Sequence, residues 1–97
     1  MEITIRNCEN QSIVLIVGRL DTNTAPELEA ALNGIAAKEV VLECSSLEYV
    51  SSAGLRVILA AHKHLMAAEQ RLTLRNICTE VRSVLDMTGF SRILFIE

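Results

Sequence analysis

The chain has 97 residues, 51% of them hydrophobic, with a mean hydropathy of +0.35 and a formal net charge of −3. This length suits one domain, residues 1–97, and the apolar content excludes a disordered chain. Mild acidity and 3% aromatic residues disfavour nucleic-acid binding, which needs a basic face or a stacking platform. No apolar run approaches the roughly 18 residues of a membrane span, and the N-terminus lacks a signal-peptide pattern, so we expect a soluble cytoplasmic protein.

The chain begins with two segments that favour β-strands. β-branched residues dominate residues 3–5 and 13–17, and polar residues 7–11 between them suit a hairpin turn. We expect Gly18 to close the second strand. The two segments therefore predict an antiparallel hairpin.

A helix and a buried strand follow. The polar cluster at residues 21–24 offers helix N-caps, and Pro26 suits a first helical turn. Apolar residues then recur at helical spacing, at Leu28, Leu32 and Ile35. Residues 40–42 form a short continuous apolar run, which is typical of a strand buried on both faces.

The second half predicts two more helix–strand pairs. The stripe of the second helix is Leu55, Ile58, Leu59, His62, Leu65 and Met66. Residues 72–74 predict the fourth strand, and residues 93–96 predict the last one. Between them, apolar residues from Ile77 to Leu85 predict a third helix that Gly89 ends.

The resulting order is β-β-α-β-α-β-α-β. Strands that alternate with helices predict an α/β domain, with a mostly parallel central sheet and helices packed against it. The sequence shows neither a linker nor an internal repeat.

The cysteines and histidines form no pattern that would bind a metal. Cys8, Cys44 and Cys78 lie far apart, and we expect small buried thiols in a reducing cytosol. His62 and His64 face different sides of a helix, so they cannot share a metal ion. Met66 and Met87 are expected in the core, and no cofactor is expected.

A turn rich in small residues, 51–54, lies between a strand and the second helix. Ser51 or Ser52 can cap the free N–H groups of that helix, and Gly54 indicates a close backbone approach. A phosphate would also be stabilised at this helix N-terminus. The pattern therefore allows either a plain helix cap or an electrostatic gate.

Catalysis by Ser52 fits the sequence poorly. A nucleophile elbow needs glycine on both sides of the serine, whereas Val50 and Ser51 precede Ser52. It also needs a histidine late in the chain, but both histidines lie inside the helix that follows. A small serine hydrolase remains a hypothesis, and we expect no enzyme.

Three segments resemble one family. Residues 49–59, Tyr-Val-Ser-Ser-Ala-Gly-Leu-Arg-Val-Ile-Leu, resemble the signature of STAS domains, in particular the bacterial anti-sigma factor antagonists. Residues 18–21, Gly-Arg-Leu-Asp, with the helix start at residues 24–28, resemble the family's Gly-x-Leu/Ile-Asp turn and first helix. Residues 84–90 match near the C-terminal end. The resemblance covers the whole chain in order and spacing.

The resemblance implies partner switching. In the family, the unphosphorylated antagonist binds an anti-sigma factor that is also a serine kinase, and phosphorylation separates them until a metal-dependent serine phosphatase resets the switch. The matching phosphorylation site is Ser52, with Ser51 as second choice. Many relatives have Asp where this chain has Ser51, and Ala53 occupies the phosphoserine position of some relatives.

The resemblance also implies a docking surface around the turn. Its expected partner-binding residues are Asp21, Thr22, Ser51, Ser52, Ala53, Gly54, Leu55 and Arg56. Asp21 either docks the kinase or orients the serine hydroxyl, or else serves only as a helix N-cap or turn carboxylate. The alternative function is a STAS-type scaffold subunit of a lipid or anion transport system without a phosphoswitch. We expect a monomer or a weak homodimer.

Overall fold

A computed structural model describes residues 1–97 as five strands, three α-helices and one 3₁₀ turn. In chain order they are β1 (Glu2–Cys8), β2 (Gln11–Leu20), α1 (Ala25–Asn33), β3 (Glu39–Val50), α2 (Ser52–Ala67), β4 (Arg71–Arg75), α3 (Thr79–Thr88), the 3₁₀ turn (Phe90–Arg92) and β5 (Phe95–Ile96). The predicted element order is confirmed. None of the helices has the length and apolar content needed to cross a membrane.

The strands form one sheet in the order β1-β2-β3-β4-β5. β1 pairs antiparallel with β2, and the other pairs are parallel, as predicted. The sheet side chains that face the helices are at most 1% exposed, and they are Val14, Ile16, Val40, Leu42, Leu72 and Leu74. They pack with Leu28, Leu32 and Ile58 of the helices in one cluster of 21 buried residues. This single core holds the helices against one face of the sheet.

Several strand boundaries differ from the prediction, and the hairpin turn predicted at residues 7–11 is confined to residues 9–10. β2 does not end at Gly18 but continues to Leu20, because Gly18 adopts a φ of 110° at a register shift against β3. Such a bulge bends a strand without ending it. β3 continues from residue 42 to Val50, so a strand leads directly into the serine turn (residues 51–54). β5 is shorter than predicted, since Ile93 follows the 3₁₀ turn and is 49% exposed.

Two predictions of burial are wrong. Cys8 is exposed because β1 is an edge strand, whereas Cys44 is buried and Cys78 half-buried. Burial raises the pKa of the Cys44 thiol to about 12. Met66 and Met87 are 51% and 84% exposed, so neither fills the core.

Glu43 lies on the face of the sheet opposite the helices and connects β3 to the last residue of β4 and the residue after it. Its carboxylate accepts hydrogen bonds from Arg75 Nε at 2.8 Å, from Asn76 Nδ2 at 3.0 and 3.2 Å, and from the Ser45 N–H at 3.2 Å. Burial alone would raise the pKa of Glu43, but these hydrogen bonds outweigh it and lower that pKa to about 2. The charged form therefore fixes the start of the connection to α3.

We predict that Glu43→Gln makes stability less dependent on pH. Because the folded pKa is depressed, charged Glu43 stabilises the fold above about pH 4.5, and this contribution is lost as pH falls toward 2. The variant should lose about 1 kcal/mol of unfolding free energy at pH 7. Urea unfolding at pH 7 and pH 3 should show the difference shrinking at the lower pH. A difference that is equal at both pH values would contradict this account.

Candidate functional site

The serine turn follows β3, and the turn that begins at Asp21 follows β2, so the two turns lie at the ends of neighbouring strands. Leu20 pairs with Val50 at the ends of β2 and β3. One residue further on, the Ser51 N–H donates to the Leu20 carbonyl at 2.9 Å. The carboxyl ends of adjacent parallel strands therefore bring the two turns to the same edge of the sheet.

Ser51 is the N-cap of α2. Its backbone is extended, with φ −92° and ψ 175°, and its Oγ accepts a hydrogen bond from the Gly54 N–H at 3.3 Å. Its carbonyl accepts the first helical bond from the Leu55 N–H at 2.9 Å. The half-buried hydroxyl of Ser51 is thus engaged in holding the helix start.

Ser52 is the first residue of α2, and it is exposed. Its hydroxyl makes no hydrogen bond within the protein, unlike that of Ser51. Arg56 is exposed four residues later and lies on the same side of the helix. The first turn of α2 contains no acidic residue. A negative charge on Ser52 would therefore lie at a helix N-terminus, one helical turn from the basic residue Arg56.

Gly54 is required by close packing between α2 and β2. A Cβ added at Gly54 would lie 2.7 Å from Leu20 Cγ and 3.0 Å from the Leu20 carbonyl oxygen. Leu20 is fully buried and cannot move aside easily. Gly54 and Leu55 are themselves buried, so they support the turn from below, while Ala53 is half-buried.

Asp21 is engaged within its own turn. Its Oδ1 accepts from the N–H groups of Asn23 and Thr24 at 3.0 and 3.2 Å, and its own N–H donates to Thr24 Oγ1 at 2.9 Å. This reciprocal pair is a capping arrangement ahead of α1. Asp21 makes no hydrogen bond to Ser51 or Ser52, so it does not orient a serine hydroxyl. Thr22 is exposed beside it.

Sequence reasoning missed an exposed pair beside the turn. Arg19 and Tyr49 are neighbours in the register of β2 and β3, and the guanidinium carbon lies 4.1 Å from the ring centroid. Arg19 is exposed, and Tyr49 is 41% exposed. Only the full length of both strands, which the apolar pattern did not reveal, brings these two side chains together.

The geometry does not support a serine hydrolase. No cavity of the molecule is lined by Ser51 or Ser52. His62 is ten residues along α2 from Ser52, which corresponds to about 15 Å. His62 is 5% exposed, and its ring packs edge-on against Phe95, with ring centroids 5.8 Å apart. It therefore cannot accept the proton of the Ser52 hydroxyl.

Comparison with known proteins agrees with the fold and the motifs. The STAS domain profile matches residues 2–97. BtrV of Bordetella bronchiseptica, named as an anti-sigma factor antagonist, is 34% identical over 93 residues, which cover 93% of this chain and 80% of BtrV. The anti-sigma-B factor antagonist of Listeria monocytogenes is 28% identical over 100 residues, covering 100% of this chain and 87% of the relative.

Several solved structures share the fold. A Thermotoga maritima protein described as an anti-sigma factor antagonist has a TM-score of 0.88 at 21% identity, covering 97% of this chain and 84% of that one. Phosphorylated SpoIIAA of Bacillus has a TM-score of 0.76 at 17% identity, covering 99% and 91%. A sulfate transporter family protein from Wolinella succinogenes has a TM-score of 0.80 at 18% identity, covering 88% and 71%. At these identities the likeness concerns the fold alone.

We predict that Gly54→Ala destabilises the protein by about 1–3 kcal/mol, because the added methyl group would force α2 away from the end of β2. Gly34→Ala is the matched control, since a Cβ at that position comes no closer than 3.7 Å to any neighbour. It should change stability by less than about 1 kcal/mol. Urea unfolding measures both values, and equal effects of the two substitutions would refute the close-packing argument.

Proposed function

The chain belongs to the STAS domain family, and we propose that it is an anti-sigma factor antagonist that acts by partner switching. Its unphosphorylated form would bind an anti-sigma factor that is also a serine kinase. Phosphorylation of Ser52 would end that complex, and a metal-dependent serine phosphatase would restore it. The protein would contribute a regulated surface and no catalysis, and it would act in the cytoplasm, where sigma factors work.

The observation that supports this proposal is the different hydrogen bonding of the two serine hydroxyls. Ser51 uses its hydroxyl as the N-cap of α2, whereas the Ser52 hydroxyl is exposed and unbonded. A kinase can reach Ser52 without breaking the cap. Phosphorylation of Ser51 would instead remove the hydrogen bond to the Gly54 N–H or strain it. Ser52 is therefore the favoured site, although it lacks the preceding acid found in many relatives.

The charge of the phosphate gives the switch its mechanism. A phosphoserine carries about −1.5 to −2 charge at neutral pH. Within the protein, this charge is tolerated because Arg56 and the N-terminus of α2 lie beside it. On a partner shaped for a neutral hydroxyl, the same charge has no matching cation and must be desolvated. The modification would thus weaken binding without unfolding the antagonist.

Intact-mass analysis with the cognate kinase and ATP tests the proposal. Wild type and Ser51→Ala should each gain one phosphate, while Ser52→Ala should gain none. Loss of the cap in Ser51→Ala should cost about 1 kcal/mol of stability. That variant must therefore be assayed well below its unfolding temperature. A phosphate on Ser52→Ala, or none on wild type, would contradict the assignment of Ser52.

The fold similarity to a sulfate transporter family protein supports a second candidate. In that case the chain would be a scaffold subunit of an anion or lipid transport system, and the serine turn would serve for docking only. Ser52→Ala and Ser52→Asp would then leave partner binding equally intact. Under partner switching, Ser52→Asp alone should lose it.

A further inference from the structure

We propose that β1 is a dimerisation edge through which two copies of this chain pair antiparallel. The two sheets would then form one continuous sheet of ten strands. The partner is a second copy, because β1 is complementary to itself in charge. This interaction is separate from the serine turn.

β1 is an open edge whose only protective feature is its two charged side chains, Glu2 and Arg6. It is the outermost strand, and its seven residues pair with β2 in an uninterrupted register without a bulge or a proline. Natural edge strands are normally shortened, bulged or covered, since unpaired backbone groups recruit other strands. The opposite edge, β5, has only two residues and offers little to pair with. β1 is therefore the edge available for pairing.

The charges on β1 select one register. In an antiparallel two-fold pair centred on Thr4, Glu2 of each copy faces Arg6 of the other. Both side chains are exposed and lie on the face of the sheet away from the helices. Two opposite-charge pairs form in this register, and cross-strand pairs of this kind stabilise a sheet. A two-fold centred on Ile5 would instead place Arg6 opposite Thr4 and leave the charges unmatched.

The same register buries apolar surface on the helix side of the sheet. Ile3 would face Ile5 of the second copy, and Ile5 is 40% exposed in the single chain. Ile5 also lines an open groove with Ala31 and Ile35 of the α1 region, which the second copy would border. Seven residues form an interface smaller than the 1,200 Å² or so of stable complexes, so the dimer should be weak and depend on concentration.

The geometry leaves both serine turns accessible. β2 runs antiparallel to β1, so pairing β1 with its copy makes the two β2 strands antiparallel as well. The C-terminal ends of the two β2 strands then point to opposite ends of the joint sheet. Each copy could engage its own partner at the serine turn.

Sedimentation equilibrium over a concentration series tests the proposal. Wild type should rise from the monomer mass of 10.7 kDa toward twice that value by about 1 mM. Arg6→Glu should raise the dimer dissociation constant about tenfold or more, because Glu2 would then face a like charge. The double variant Glu2→Arg/Arg6→Glu should have a dimer dissociation constant within about threefold of the wild-type value, since the two charges of each pair are only exchanged.

Two controls make the outcome decisive. Lys63→Glu changes the net charge equally at an exposed position of α2, and it should leave association unchanged. In a Cys8→Ser background, Thr4→Cys should form an interchain disulfide on mild oxidation, whereas Ile5→Cys should not. A wild type that stays monomeric throughout, or a double variant that does not recover, would overturn the proposal. A disulfide that forms in Ile5→Cys but not in Thr4→Cys would overturn the register centred on Thr4.

Discussion

The start of α2 is held against the end of β2 by two contacts, and the proposed partner-binding surface depends on both. The Ser51 N–H is bonded to the Leu20 carbonyl, and Gly54 packs against the Leu20 side chain without room for a methyl group. Leu20 is fully buried, so its position is fixed by the core. The core thereby sets where the serine turn emerges and how α2 is directed. A surface built in this way is preorganised before any partner arrives.

This anchoring gives the two adjacent serines different surroundings, on which their proposed roles rest. Ser51 completes the hydrogen bonding of the helix start, and Ser52 is left as an exposed hydroxyl on a rigid support. A phosphate added at Ser52 would change the charge of the surface while the cap stays in place. The Asp21 turn is rigid for a similar reason, since its reciprocal bonds with Thr24 satisfy the backbone ahead of α1. Asp21 thus supports its own turn and makes no hydrogen bond to the serine hydroxyls.

Local sequence signals predicted the element order, most of the packing face of the helices and the glycine at the serine turn. Each depends on a short-range rule, such as helical periodicity or the conformational freedom of glycine. Predictions from these signals were wrong where a strand boundary or the exposure of a side chain depends on residues distant in sequence. Gly18 could end a strand or form a bulge, and only pairing with β3 decides between them. The contact between Arg19 and Tyr49, and the exposure of Met87, likewise depend on strand register and helix packing.

The central claim is that phosphorylation of Ser52 changes partner affinity while the fold stays intact. Isothermal titration calorimetry can compare the unmodified protein with the protein phosphorylated at Ser52, each titrated into the cognate kinase held in ADP. We expect the phosphorylated form to bind at least about 100-fold more weakly, because its charge is desolvated without a matching cation. Both forms should show the same thermal unfolding temperature to within a few degrees. Equal affinities of the two forms for the kinase would contradict the account.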